Sequence, residues 1–169
     1  IYHHGLKANV KMENVKGFEG YYTFCTDNHG FRYKCNHTER GKNFDYAFMG
    51  DSFTEGSSVS YEESFVGIFE KATEKRVANL GVVSYAPKIY LSKLNYYLEK
   101  GYTFNHVIIP IDISDLYDDD VSYRLKKNYV VEDNFERGEK LKIRRFLRKN
   151  FPFTNFYLFV IKNLNEVGY

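Results

Sequence analysis

The chain has 169 residues, the size of one domain and too short for two large ones. Its 24 Lys and Arg stand against 22 Asp and Glu, and a net charge of +2 gives no reason to expect nucleic acid or an acidic polymer as a partner. Apolar residues make up 43%, enough for a real core, and no stretch reaches the roughly 18 apolar residues that a membrane span takes.

Residues 1–43 read as an irregular, polar entry arm with a small β-ribbon. The short extended pieces Tyr21-Tyr22-Thr23-Phe24 and Gly30-Phe31-Arg32-Tyr33 supply the ribbon. Cys25 and Cys35 flank its turn, and two readings stand: a disulfide, which needs an oxidising compartment, or two unpaired thiols on neighbouring strands. His29 and His37 do not fall at a zinc spacing. His3 and His4 are given no role. The first methionine is Met12, and the expectation drawn from it is that something is missing upstream. No signal peptide is visible.

An α/β domain is expected over 44–169. Phe44-Asp45-Tyr46-Ala47-Phe48-Met49 is a short apolar run ended by Gly50, the pattern of a buried strand opening into a turn. Ser60-Tyr61-Glu62-Glu63 has the form of a capping box, and Phe65, Ile68, Phe69 and Ala72 follow at helical spacing through Lys75. Residues 77–83 form a second strand candidate. Ala86-Pro87 then opens a second helix, with Ile89, Leu91, Leu94 and Leu98 inward and Gly101 as its stop. His106-Val107-Ile108-Ile109-Pro110-Ile111 is the third strand, although Pro110 suits only a strand end or edge. Beyond Asp120 the pattern suggests an extended stretch over 124–135 and helices over 139–149 and 153–165.

Strand, helix, strand, helix, strand with short links predicts parallel strands joined by right-handed crossovers, hence a three-layer αβα fold with a mainly parallel, flavodoxin-like sheet. Sites in such sheets form at the carboxyl ends of the strands. The turns near Ser52, Ser84 and Ser114 all lie at those ends.

The most informative of these turns is Gly50-Asp51-Ser52-Phe53-Thr54-Glu55-Gly56. A serine directly after a strand is lifted above the sheet edge, where its hydroxyl and its backbone N–H serve nucleophilic attack and oxyanion stabilisation together. Gly50 permits the tight turn, and Asp51 is expected to bond local backbone amides rather than act as acid or base. An ordinary N-cap serine has the same spacing, so the turn alone leaves both readings open.

This heptapeptide resembles the first conserved block of the SGNH (GDSL-like) hydrolases, in which the serine after Gly-Asp is the nucleophile. Asn79-Leu80-Gly81-Val82-Val83-Ser84 is similar to the second block, and Ile109-Pro110-Ile111-Asp112-Ile113-Ser114-Asp115 to the third. The resemblance spans residues 44–116. It implies Ser52 as nucleophile, and an oxyanion hole formed by the N–H groups of Ser52 and Ser84 and the Ser114 side chain. Two departures weaken it: Ser84 stands where the family has glycine, and Ser114 stands where it has asparagine, a longer donor. The family's Asp-x-x-His motif is missing, since the last histidine is His106 and Asp27-Asn28-His29 is one residue too short and precedes the serine.

Two expectations follow. Either the sequence ends before that motif, and the full protein is a serine esterase, acyl hydrolase or carbohydrate O-acyltransferase. Or it is an inactive relative that keeps the fold as a carbohydrate- or partner-binding module. The implied substrate is a small-molecule or polysaccharide ester, with no cofactor and no metal. The acidic run of Asp112, Asp115, Asp118, Asp119 and Asp120 lacks a calcium spacing and reads as a solvated turn. The stretch 137–149 holds seven basic residues against Glu139, which suits a solvated helix or a membrane-surface one. Relatives with this kind of entry arm are often exported or membrane-anchored, so the resemblance, together with the cysteine pair, implies an extracytoplasmic or membrane-anchored protein.

Overall fold

The computed structural model describes residues 4–36, 39–111, 115, 123–126 and 129–132. The helices expected over 139–149 and 153–165 lie outside the described residues.

Three parallel strands form the centre. β3 (Asn43–Phe48) lies between β4 (Val77–Asn79) and β5 (Thr103–Ile108), with Phe48 opposite Asn79 on one side and Ile108 on the other. The connections are α2 (Phe65–Thr73) between β3 and β4, and α3 (Pro87–Glu99) between β4 and β5. Ala47 and Met49 pack in a cluster with Ile89, Tyr90 and Tyr97 of α3, while Tyr46 and Phe48 pack with Val66 and Phe69 of α2. Alternate residues of a strand face opposite sides, so a helix covers each face of the sheet. The protein is therefore mixed α/β around a parallel sheet.

Both helices turn differently from the sequence expectation. In α3 the buried residues are Ile89, Tyr90, Lys93 and Tyr97, whereas Leu91 and Leu98 are exposed. The tyrosines win the inner face because their rings fill it and their hydroxyls find acceptors there, Tyr90 on Asp115 and Tyr97 on the His29 carbonyl. In α2, Phe65 and Ile68 are exposed and Val66 and Gly67 are buried. Gly67 sits where a Cβ would fall 1.9 Å from the Tyr61 carbonyl oxygen, so the helix can approach the preceding turn only without a side chain there. That turn, Tyr61–Glu63, is a 3-10 turn carrying the Ser60–Glu63 capping contacts, and the N-cap of α2 itself is Ser64, whose hydroxyl accepts the Gly67 N–H at 3.1 Å.

β4 stops at Asn79 instead of running to residue 83, because the following amides leave the ladder for other acceptors. β5 starts at Thr103, earlier than expected, and ends before Pro110, which has no N–H to offer.

The arm is also more ordered than its composition suggests. β1 (Lys11–Lys16) pairs antiparallel with β2 (Tyr21–Cys25), so the ribbon forms upstream of Gly30-Phe31-Arg32-Tyr33, which contributes an isolated Thr26–Arg32 bridge. Asp27 redirects the chain here: its carboxylate accepts the N–H groups of His29 and Phe31, both at 2.9 Å. Cys25 and Cys35 form a disulfide with their Cα atoms 5.2 Å apart. Phe31 is fully buried against Phe44, Tyr97 and Tyr102, so the arm shares the core of the sheet. Within the region expected to be extended, β6 (Tyr123–Lys126) and β7 (Tyr129–Glu132) pair antiparallel.

Candidate active site

Ser52 opens α1 (Ser52–Glu55), the single turn after β3. Asp51 caps it, accepting the Phe53 N–H at 2.9 Å, as a turn-supporting aspartate should. Gly50 is required by packing rather than by its dihedral angles, since a Cβ there would fall 2.0 Å from Thr54 Oγ1. Gly56 closes the turn in the left-handed conformation, φ 77°. Ser52 is half-buried. Neither its hydroxyl nor its N–H has a hydrogen-bond partner among the described residues, while its carbonyl accepts from Ser57.

The loop after β4 is pressed against this turn. The Val82 N–H donates to the Gly50 carbonyl at 3.1 Å, and the Asn79 side-chain amide donates to the Thr54 carbonyl at 2.7 Å. Gly81 lies so close that a Cβ would stand 2.5 Å from the Glu55 nitrogen. Every amide but one in the stretch 80–85 is engaged: Leu80 on Phe48, Gly81 on Asn79 Oδ1, Val82 on Gly50, Val83 on Glu55 and Tyr85 on Val82. Ser84 is the exception. Exposed, with φ 64°, it has an N–H with no acceptor among the described residues, and its carbonyl accepts the Tyr123 hydroxyl at 2.5 Å. A left-handed φ is what a glycine would adopt freely at this position.

Beneath the two loops lie charged groups that sequence reasoning missed. Glu55 is 5% exposed, and its carboxylate accepts the Val83 N–H at 2.7 Å and the Ser57 hydroxyl at 3.3 Å. Burial pushes its carboxyl above the usual range, against the pull of those donors and of the Arg32 and Lys93 charges. Lys93, on α3, donates to the Leu80 carbonyl at 2.8 Å, and burial pushes its ammonium down to about 7 while Glu55 draws it the other way. Arg32 is fully buried and donates to the carbonyls of Cys25, Tyr33 and Val59. Asn79 offered a signal, as a polar residue inside an otherwise apolar strand. Glu55 offered none, because its burial depends on a loop 28 residues further on.

Ser114 lies outside the described residues, as do Asp112, Asp118, Asp119 and Asp120. Asp115 is buried and accepts the Tyr90 hydroxyl at 2.9 Å, so this member of the acidic run is no solvated turn residue. No group of metal-ligating side chains occurs among the described residues.

None of the described histidines hydrogen-bonds Ser52. His29 is held by the Arg40 carbonyl at 2.6 Å and by Tyr102, His106 stacks on Tyr46, and His4 Nε2 lies 3.1 Å from the Val83 carbonyl oxygen. A cavity of about 610 Å³ lies between the arm and α2, lined by residues such as Tyr33, Arg40, Tyr61 and Glu70. Ser52 and Ser84 are not part of its wall. Among the described residues, no helix is long and apolar enough to cross a membrane. No family model, no curated protein and no solved structure matches this chain.

Proposed function

We propose that the protein is a serine acyl hydrolase or carbohydrate O-acyltransferase of the SGNH type, built on a three-layer, flavodoxin-like αβα domain, with Ser52 as nucleophile. The observation that carries this reading is that the Ser52 and Ser84 amides are both unengaged, on loops that the Val82–Gly50 bond ties together at neighbouring strand ends. Donors left open on loops joined in this way, one of them on the residue that carries a free hydroxyl, suit a tetrahedral oxyanion. In the proposed step, Ser52 Oγ bonds to the acyl carbon of an ester, its proton passes to a general base, and that proton leaves with the departing alcohol. Water, or a sugar hydroxyl in the transferase case, then releases the acyl group. A histidine oriented by an aspartate would serve as the base, and both would come from outside the described residues. Ser114 would add a third donor. The chemistry calls for no cofactor or metal.

The substrate class is a small-molecule or polysaccharide ester. The Cys25–Cys35 disulfide favours an oxidising, extracytoplasmic location.

A second reading is an inactive module of the same fold that binds a carbohydrate or a protein partner, and the lack of any described histidine on Ser52 favours it. Treating the full-length protein with a fluorophosphonate probe separates the two. The hydrolase reading expects covalent labelling that Ser52→Ala abolishes. Equal labelling of wild type and variant, or none in either, would leave the binding module standing.

A further inference from the structure

We propose that Glu55 is a positioning residue of this site, one that sets the direction of the Ser84 amide by holding the amide next to it. The inference rests on the Ser52 reading and goes beyond it, since it assigns a role to a buried carboxylate that never touches substrate.

A carboxylate that is 5% exposed loses most of its hydration, and such groups persist in proteins when specific partners replace water. Glu55 has two hydrogen-bond partners, and the shorter bond, 2.7 Å, is to the Val83 main chain. Bonds from a backbone N–H to a carboxylate are among the stronger ones available. The effect of this bond is local and directional. With Val82 bound to Gly50 and Val83 bound to Glu55, the peptide units 81–82 and 82–83, next to the one that carries the Ser84 N–H, are fixed from the α1 side. The chain must then turn at once to bring Tyr85 and Ala86 into the core, both fully buried, and it does so at Ser84 with φ 64°. A non-glycine residue pays for that conformation, so something must hold it there. Glu55 on the Val83 N–H, the His4 ring nitrogen 3.1 Å from the Val83 carbonyl and the Tyr123 hydroxyl on the Ser84 carbonyl are the clamps that do so. The result is an N–H that is not consumed within the loop.

The surroundings hold the clamp in place. Arg32 and Lys93 both act on Glu55 electrostatically, and each is itself anchored to main-chain carbonyls: Arg32 on Cys25, Tyr33 and Val59, Lys93 on Leu80. Leu80 belongs to the same loop as Val83. Glu55 therefore receives Val83 from one side while Lys93 holds Leu80 from the other. The far end of the loop cannot shift without breaking one of these bonds.

The test compares the rate of fluorophosphonate labelling at Ser52 in four forms of the full-length protein: wild type, Glu55→Gln, Ser84→Gly and the double variant. Glutamine keeps the size of the side chain but replaces the charge-assisted acceptor of the Val83 N–H with a weaker, neutral amide oxygen. Loss of one well-placed oxyanion donor typically costs about 10²–10³ in rate, and partial misdirection of the Ser84 amide is expected to cost about 10-fold to 10²-fold. Ser84→Gly alone sets the reference for the double variant: the proposal expects Glu55→Gln to slow labelling by a factor at least about 3-fold smaller in the Ser84→Gly background than in wild type. The factor shrinks because glycine reaches the left-handed conformation without the clamp. A purely structural role would lower labelling only in proportion to the unfolded fraction read by circular dichroism, and glycine at 84 would restore nothing. Either that pattern or wild-type labelling in Glu55→Gln overturns the proposal. If Glu55→Gln does not fold, Glu55→Asp replaces it, since aspartate keeps the charge but is one methylene too short to reach Val83. Wild-type protein that labels no better than Ser52→Ala marks failure of the nucleophile assignment instead.

Discussion

Two sets of buried charges in this protein follow opposite rules. In the arm, Asp27 and Arg40 bind each other directly at 3.1 Å, with side chains 0% and 6% exposed. Arg40 is further fixed by the Val77 carbonyl and by the ring of Tyr33, 3.9 Å away. Beneath the candidate site, Arg32 and Lys93 instead donate to main-chain carbonyls, those of Cys25, Tyr33 and Val59 for Arg32 and that of Leu80 for Lys93, while Glu55 makes its shorter bond to the Val83 main chain. The first set joins the arm to the sheet as a staple does. The second distributes its hold over backbone whose direction matters, which is how a preorganised site is built. The same residue types thus give closure in one place and orientation in the other.

The comparison makes the staple the more costly one to break. Arg40→Ala strands a fully buried Asp27 that keeps only the amides of His29 and Phe31. Removal of one partner from a buried pair typically costs about 3–5 kcal/mol. Urea unfolding should show a loss in that range with little change in Ser52 labelling of the folded fraction. A loss under about 1 kcal/mol would mean that the arm is not held by this pair.

Lys93 belongs to the second set and should reveal itself through pH. Its ordinary value is 10.5, and in the folded protein it falls to about 7. Between those values the unfolded chain binds more protons than the folded one, so stability rises with pH over that window. Below about 7 both states carry the proton and the cost of burying the ammonium is fully present. At about 1.4 kcal/mol per pH unit, the gain between pH 7 and pH 9 should approach about 2–3 kcal/mol. Lys93→Met should flatten this slope, as followed by urea midpoints across the interval. An unchanged slope in the variant would assign the pH dependence to other groups.

The difference between the two sets also explains what the sequence could disclose. The parallel sheet was legible because short apolar runs, the first ended by Gly50, alternate with helical patterns opened by Ser60 and Pro87, and these signals are local. The turn that carries Ser52 was legible for the same reason, as a short polar stretch bounded by glycines. The inner face of α3 was not, since leucine spacing pointed to Leu91 and Leu98 while the packing favoured tyrosines that could satisfy their hydroxyls. Glu55, Lys93 and Arg32 were illegible too. Each acquires its role from chain 13 to 28 residues away in sequence, and no periodicity records such contacts.

The smallest effect is expected at Ser84, and it sharpens the comparison most. A non-glycine residue in the left-handed region costs about 1–2 kcal/mol, and glycine removes that strain. Glycine also adds about 0.5–1 kcal/mol of conformational entropy to the unfolded chain, so the two terms nearly cancel. Ser84→Gly should therefore shift stability by less than about 1 kcal/mol in urea, in the stabilising direction. The serine hydroxyl makes no hydrogen bond among the described residues, and its removal exposes no unpaired partner. A destabilisation beyond about 1 kcal/mol would show that the side chain, and not only the amide, is part of what the second set of charges holds in place.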